Sequence, residues 1–105
     1  MHDDDPVKHR RLGLLRGGVL LGRMTLVGGE QPLYHYRFQA TPDFDAVAPL
    51  FAAELAAFET DDIERWQQDY DKIRAPGLAL ELPDGSAFTQ DFVVHVEGDK
   101  ARLRL

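Results

Sequence analysis

Residues 92–105 read FVVHVEGDKARLRL and predict a β-hairpin in one register. Gly98-Asp99 forms a two-residue turn, with glycine at the first position, as a type II′ turn prefers. Glu97 then lies opposite Lys100, and each apolar residue before the turn lies opposite an apolar residue after it. These pairs are Val96 with Ala101, Val94 with Leu103, and Phe92 with Leu105. A shift of one residue would bring charged side chains to the apolar face, so the sequence favours this pairing.

A second antiparallel hairpin is predicted in the first half of the chain. Apolar residues recur at alternate positions within Leu20–Val27, and a turn follows at Gly28–Pro32. After the turn, Tyr34, Tyr36 and Phe38 alternate with polar residues. This alternation is typical of a strand with one buried face.

Two registers of this hairpin remain open, and they differ in the residue that lies opposite Arg37. In the first register, Leu26 pairs with Tyr34. Arg23 then lies opposite Arg37, and such a like-charge pair is destabilising unless an anion lies between the side chains. A shift of two residues pairs Arg37 with Thr25 and removes the clash.

Helical periodicity is confined to the middle third of the chain. A first helix is predicted over about 43–58, with Thr41 as the candidate cap. Because proline inside a helix removes a backbone hydrogen bond, Pro49 is expected to separate a short initial turn from the regular helix. The apolar stripe of this helix consists of Phe44, Val47, Phe51, Leu55 and Phe58.

A second helix is predicted over about 61–74. Asp61 and Glu64, three residues apart, resemble a capping box, and Pro76-Gly77 ends the helix. Its predicted buried stripe consists of Ile63, Trp66, Tyr70 and Ile73.

Strands, two consecutive helices and further strands predict one α+β domain over residues 12–105. We expect an antiparallel sheet of about four to five strands with both helices packed on one face, and residues 1–11 as a disordered or loosely attached tail. Leu12–Leu21 is too apolar for an exposed edge strand. We expect this segment either to add a strand to its own sheet or to contribute to a symmetric homodimer, with the homodimer slightly favoured.

Composition narrows the classes of function. The 105 residues include 18 acidic and 12 basic side chains, for a net charge of −6, which disfavours general binding to nucleic acid or an anionic membrane. The chain has no cysteine, and its N-terminus is acidic where a secretory signal would be basic. No apolar stretch reaches the roughly 20 residues of a membrane span. We therefore predict a cytoplasmic protein. Arginine outnumbers lysine 9 to 3, a bias typical of GC-rich coding, which predicts a bacterial source.

The residues that most often carry chemistry do not form a catalytic pattern. Ser86 lies beside the turn at Asp84-Gly85 without a nucleophile motif, and the N-terminal His2, Asp3–Asp5 and His9 have no fold around them to hold a metal. We therefore predict a protein that is not an enzyme and that needs no metal or cofactor.

Two surfaces are candidates for binding. The face of the sheet opposite the core is expected to gather cationic and imidazole side chains that bind a carboxylate or phosphate. These residues are Arg23, His35, Arg37, His95, Arg102 and Arg104.

The polar side of the helices is acidic and is the second candidate. Its acidic residues are Glu54, Glu59, Asp61, Asp62, Glu64, Asp69 and Asp71. Glu59, Asp62 and Asp69 are the predicted contacts with a basic protein partner. The leading hypothesis is therefore a protein-binding module, similar to an immunity protein or antitoxin. A small domain that binds an anionic ligand is the alternative.

Residues at predicted turn and core positions match a pattern that resembles one protein family. The pattern is I-x-x-P-G-L, D-G, F and H-x-x-G-D-x-A, found here at Ile73–Leu78, Asp84-Gly85, Phe92 and His95–Ala101. It resembles a group of small uncharacterised proteins from GC-rich bacteria, over about residues 20–105. The resemblance implies one intact domain and transfers no activity or catalytic residue.

Overall fold

The computed structural model describes residues 10–105, which form an antiparallel sheet and two helices. The strands are β1 (Arg11–Arg16), β2 (Val19–Glu30), β3 (Leu33–Ala40), β4 (Leu78–Glu81), β5 (Ala87–Phe88), β6 (Val93–Glu97) and β7 (Lys100–Arg104). The helices are α1 (Ala48–Glu59) and α2 (Ile63–Arg74), and a 3-10 helix (Pro42–Ala46) precedes α1. The strands lie in the order β5-β4-β1-β2-β3-β7-β6. The predicted α+β class is confirmed.

The C-terminal hairpin has the predicted register. Glu97 pairs with Lys100, and the apolar pairs Val96–Ala101 and Val94–Leu103 point to the core. Gly98 has φ 60°, in the region that glycine adopts without strain at the first position of a type II′ turn. Local sequence alone was enough to specify this element.

The predicted number of strands was wrong, because the sheet has seven strands instead of four to five. Strand β1 lies between β2 and β4, and both of its edges are paired within the chain. Leu12, Leu14 and Leu21 are buried. The Leu-rich segment is therefore part of its own sheet, and β1 has no free edge for a second chain. The homodimer stays a prediction, but the Leu-rich segment no longer supports it.

The first hairpin adopts the register that avoids the Arg23–Arg37 clash. Thr25 pairs with Arg37, and Arg23 pairs with Gln39. An irregularity between Leu26 and Gly28 shifts the remaining pairs. The bulged residue of a strand is left unpaired and often points out of the ladder, and here Val27 is highly exposed.

The helix ends differ from prediction in how they are capped. Thr41 does not cap, since its hydroxyl donates to the carbonyl oxygens of Leu20 and Leu21, which fastens the chain to β2. The cap of α2 is Asp62, whose carboxylate accepts from the Arg65 N–H at 3.2 Å. The predicted cap, Asp61, instead has φ 58° in the turn before the helix.

One face of the sheet forms the core with both helices. Phe51 of α1 and Tyr70 and Ile73 of α2 lie in one buried cluster with alternate residues of the strands. Those strand residues include Leu12, Leu14, Met24, Tyr36, Phe38, Leu80, Val94, Ala101 and Leu103. Ile63 was predicted to be buried in this stripe and is instead 56% exposed. Within residues 10–105, neither helix has the length and apolar character needed to cross a bilayer.

Candidate functional site

The outer face of the sheet, opposite Met24 and Phe38, carries a row of polar side chains across five strands. Residues that pair across neighbouring strands point to the same face. The pairs continue from β1 to β6 in one line, which is Arg11, Thr25, Arg37, Lys100 and Glu97. All five residues are exposed. The register of the sheet therefore places three cations in one row.

A second row lies beside it and combines two imidazoles with a guanidinium. His35 of β3 pairs with Arg102 of β7, which in turn pairs with His95 of β6. His35 is exposed and Arg102 is half-buried. Arg102 therefore lies between the two histidines on the outer face.

The second row, together with Arg37, Lys100 and Glu97 of the first, lines an open cavity of about 410 Å³, which we call the sheet cavity. Its charged and imidazole-bearing lining residues are His35, Arg37, His95, Glu97, Asp99, Lys100 and Arg102. Four of the six predicted ligand-binding residues therefore meet here. Of the other two, Arg23 lines a separate cavity of about 660 Å³, and Arg104 lies in β7 opposite Leu33 and Val93. Lys100 was missed, although the hairpin register placed it on the same side as Arg102.

The electrostatics of the sheet cavity depend on Arg37 and Lys100. These two cations are direct cross-strand partners, and within residues 10–105 neither has a carboxylate within 4.0 Å. Directly opposed like charges destabilise a sheet. An anion between the two side chains would remove that cost.

His95 was predicted on the face of the sheet opposite the apolar residues, and its register places it there, but its side chain is buried. Its side chain is only 2% exposed, because α1 packs against β6 and the Phe58 ring lies 4.4 Å from the imidazole. Nδ1 of His95 lies 2.5 Å from Oε1 of Glu54. The same oxygen accepts from Trp66 Nε1 at 2.8 Å. His95 therefore joins the wall of the cavity to both helices.

Glu54 was predicted on the acidic polar side of α1, but its side chain is fully buried. Its position in the sequence contained the signal for burial. Glu54 follows Phe51 by three residues and precedes Phe58 by four, so it lies on the apolar stripe. A carboxyl group at such a position requires a buried polar partner. In the structure, Trp66 and His95 are the partners of this carboxyl group.

The acidic surface is smaller than predicted. Glu59 and Asp62 are exposed, but the Asp69 side chain is only 9% exposed and lies 3.4 Å from Arg65 and 3.9 Å from Lys72. Asp69 is thus in contact with cations of its own helix, and its assignment as a partner contact stays a prediction without support from exposure. Asp62 is occupied as the cap of α2.

Tyr70 fastens α2 to the outer edge of the sheet. Its hydroxyl donates to the Phe92 carbonyl at 3.0 Å and accepts from the Val94 N–H at 3.1 Å. Burial raises the pKa of Tyr70 to about 12, because the phenolate would lose its hydration. The hydroxyl therefore satisfies two backbone groups on the unpaired side of β6.

The remaining sequence candidates do not form a site. Ser86 is an exposed turn residue whose hydroxyl donates to Asp84 at 2.6 Å. Residues 10–105 contain no group of three or more acidic or histidine side chains placed to hold a metal ion. His2, Asp3–Asp5 and His9 lie outside the described residues.

No protein family, curated protein or solved structure matches this chain. The resemblance carried by Ile73–Leu78 and the C-terminal strands stays a prediction.

Proposed function

We propose that this protein is a non-catalytic domain that binds an anionic ligand in the sheet cavity. The observation that supports this function is the cross-strand pair of Arg37 and Lys100 in an open cavity, two cations that have no carboxylate within 4.0 Å among residues 10–105. Arg102 adds a guanidinium in the neighbouring row. Guanidinium groups bind carboxylates and phosphates through two parallel hydrogen bonds.

The two carboxylates in the lining favour ligands that carry donors as well as negative charge. Glu97 lies opposite Lys100 at the β6 side of the cavity, and Asp99 lies in the turn. A phosphorylated or carboxylated ligand with hydroxyl groups satisfies both kinds of residue. A bare monovalent anion leaves the carboxylates without a donor.

Replacing Lys100 with threonine is expected to weaken ligand binding with little change in the stability of the protein. Without ligand, Lys100→Thr removes both the unfavourable pairing with Arg37 and the favourable pairing with Glu97, so the free energy of unfolding should change by no more than about 0.5 kcal/mol. Binding should weaken by about tenfold or more, because a charge-assisted hydrogen bond contributes roughly 1.5–3 kcal/mol. Thermal shift and calorimetry with phosphorylated and carboxylated metabolites measure both quantities.

Arg65→Thr is the matched control, because it removes the same charge from an exposed position on α2. It should leave ligand binding unchanged. The proposed function is refuted if no anion of the panel stabilises the protein, or if Lys100→Thr, Arg37→Thr and Arg65→Thr all retain wild-type affinity.

A second proposal is that the turn between the helices docks a basic protein partner. The observation that favours it is Ile63, a large apolar side chain that is 56% exposed among acidic neighbours. Those exposed neighbours are Glu59, Asp61, Asp62 and Glu64. An apolar anchor with a charged rim is the usual organisation of a protein interface. This surface supports the role of an immunity protein or antitoxin.

Glu59→Lys, Glu64→Lys and Ile63→Ser test this docking surface without disturbing the helix cap at Asp62. Charge reversal should slow association with a partner purified from the native host, and Ile63→Ser should speed its dissociation. Asp43→Lys and Asp45→Lys, in the exposed 3-10 helix, are controls for overall charge. Unchanged association and dissociation rates in the Glu59, Glu64 and Ile63 variants would exclude this surface.

A further inference from the structure

The outer face continues beyond the sheet cavity into the 660 Å³ cavity, which we call the second cavity. Its lining includes Arg11, Arg23, Thr25 and Gln39. Arg11 and Thr25 belong to the same cross-strand row as Arg37 and Lys100. One row of side chains therefore runs from the second cavity into the sheet cavity.

The row sets the distance between its cations. Neighbouring strands lie about 4.8 Å apart, so Arg37 lies about 10 Å from Arg11, and Lys100 about 14 Å, measured along the row. Thr25 lies between Arg11 and Arg37 and has a hydroxyl that donates a hydrogen bond. A ligand with a single anionic group reaches only one end of this row.

Gly13 lies beside Arg23 in the lining of the second cavity. It pairs with Arg23 across β1 and β2, and with Glu81 across β1 and β4. A Cβ atom at Gly13 would lie 2.8 Å from the Leu20 side chain and 3.2 Å from Glu81, so these two side chains fill the space over Gly13. The cations that a ligand can reach in the second cavity are Arg11 and Arg23, which are both exposed.

The charges of the face favour an extended anion. Arg11, Arg23, Arg37, Lys100 and Arg102 line the two cavities, against Glu81, Glu97 and Asp99. Within residues 10–105 none of these five cations forms an ion pair. Nine of the 18 acidic residues lie between Asp43 and Asp71, in the helices and the segments that join them. The outer face is therefore the cationic side of an acidic molecule.

The lining also distinguishes between kinds of polyanion. Proteins that bind single-stranded nucleic acid combine a cationic groove with exposed aromatic side chains that stack on the bases. Among the described lining residues, the second cavity has no aromatic ring, and the sheet cavity has one exposed ring, the imidazole of His35, since Tyr36 and His95 are each 2% exposed. A nucleic acid strand along the row would therefore find no ring to stack on in the second cavity, whereas a ligand composed of phosphate groups does not need one.

We propose that the two cavities form a single binding track for a linear inorganic polyphosphate, which extends along the row from Arg11 to Lys100. This inference rests on the proposed anion-binding function and specifies its ligand. The phosphate oxygens accept hydrogen bonds from the guanidinium and ammonium groups, and Thr25 donates between them.

Isothermal titration of the full chain with pyrophosphate, long-chain polyphosphate and an oligothymidylate tests the track. Pyrophosphate occupies the sheet cavity alone, since it is too short to reach from Lys100 to Arg11. Long-chain polyphosphate should bind the wild-type chain about tenfold or more tightly than pyrophosphate at equal phosphate concentration, since it adds charge-assisted contacts in the second cavity. The oligothymidylate should bind more weakly than polyphosphate.

Arg11→Thr and Arg23→Thr should abolish the preference for the long chain and leave pyrophosphate affinity unchanged. Lys100→Thr should weaken the binding of both ligands, and Arg65→Thr should affect neither. Equal affinity for the two phosphates in the wild type, or tighter binding of the oligothymidylate, would overturn the track while the sheet cavity remains an anion site. Binding of carboxylated ligands without any binding of phosphates also overturns it, and a failure of all anions refutes the proposed function itself.

Discussion

Replacing Glu54 with alanine is expected to lower the free energy of unfolding by about 3–5 kcal/mol, because it removes a fully buried carboxyl that contacts His95 and leaves Trp66 Nε1 without its acceptor. Glu54 Oε1 is the acceptor for Trp66 Nε1 at 2.8 Å and the atom nearest to His95 Nδ1. Both Glu54 and His95 are almost completely removed from water. Urea denaturation of the purified protein measures the loss. Domains of this size have a total stability of roughly 5–15 kcal/mol, so the variant should be close to unfolding.

Glu59→Ala is the matched control, since Glu59 lies on the same helix and is exposed. Its free energy of unfolding should change by no more than about 0.5 kcal/mol. Glu54→Gln keeps an oxygen for Trp66 and should fall between the two. If Glu54→Ala is no more destabilising than Glu59→Ala, the buried contacts of Glu54 do not hold α1 to β6.

The double variant Glu54→Leu with His95→Phe distinguishes two contributions to the free energy of unfolding. One is the loss caused by a buried polar group without a partner, and the other is the stability that the intact pair contributes. Replacing both partners of a buried polar pair with apolar side chains is often neutral or stabilising. The double variant should therefore recover much of the stability that Glu54→Ala loses. Recovery would also show that the pair is not required for folding.

Local patterns predicted the elements whose partners are close in sequence. The C-terminal hairpin was correct in turn and register, because a one-residue shift would mix charge into the core. The strand count was wrong because β1 pairs with β4, whose residues are more than 60 positions away. Nothing local in RLGLLR distinguishes a strand in the middle of a sheet from one that joins two chains.

The parts of the candidate site that were predicted correctly depend only on the alternation of side chains between the two faces of a strand. His35, Arg37 and Arg102 were placed on the outer face, because side chains of a strand point alternately to its two faces. His95 was assigned to the same face, but its burial depends on where α1 crosses β6, which no periodicity specifies. Arg23 was separated from the others by the register of the first hairpin.

The Tyr70→Phe variant is expected to be less stable than the wild type at pH 8 and to lose that disadvantage in alkaline solution. At pH 8 the change removes the acceptor of the Val94 N–H and the donor to the Phe92 carbonyl. An unsatisfied buried backbone group costs roughly 1–3 kcal/mol. We therefore expect the free energy of unfolding to fall by about that amount, measured by urea denaturation.

The alkaline effect follows from the raised pKa of Tyr70, from the usual 10.0 to about 12 in the folded chain. Below pH 10 the phenol is neutral in both states, and its stabilising effect is fully present. As the pH rises from 10 towards 12, the unfolded chain ionises first, so the wild type loses up to about 3 kcal/mol at 1.36 kcal/mol for each pH unit. Tyr70→Phe has no hydroxyl to ionise and lacks this loss.

Subtracting the stability of the variant from that of the wild type at each pH isolates Tyr70, since the other titrating groups are common to both proteins. This difference should be constant between about pH 7 and 9 and should decrease steadily above pH 10. A difference that stays constant up to pH 11.5 would show that Tyr70 ionises equally in the folded and unfolded chains. The hydroxyl would then not be enclosed between α2 and the edge of β6, and the contact that joins the second helix to the sheet would be open to water.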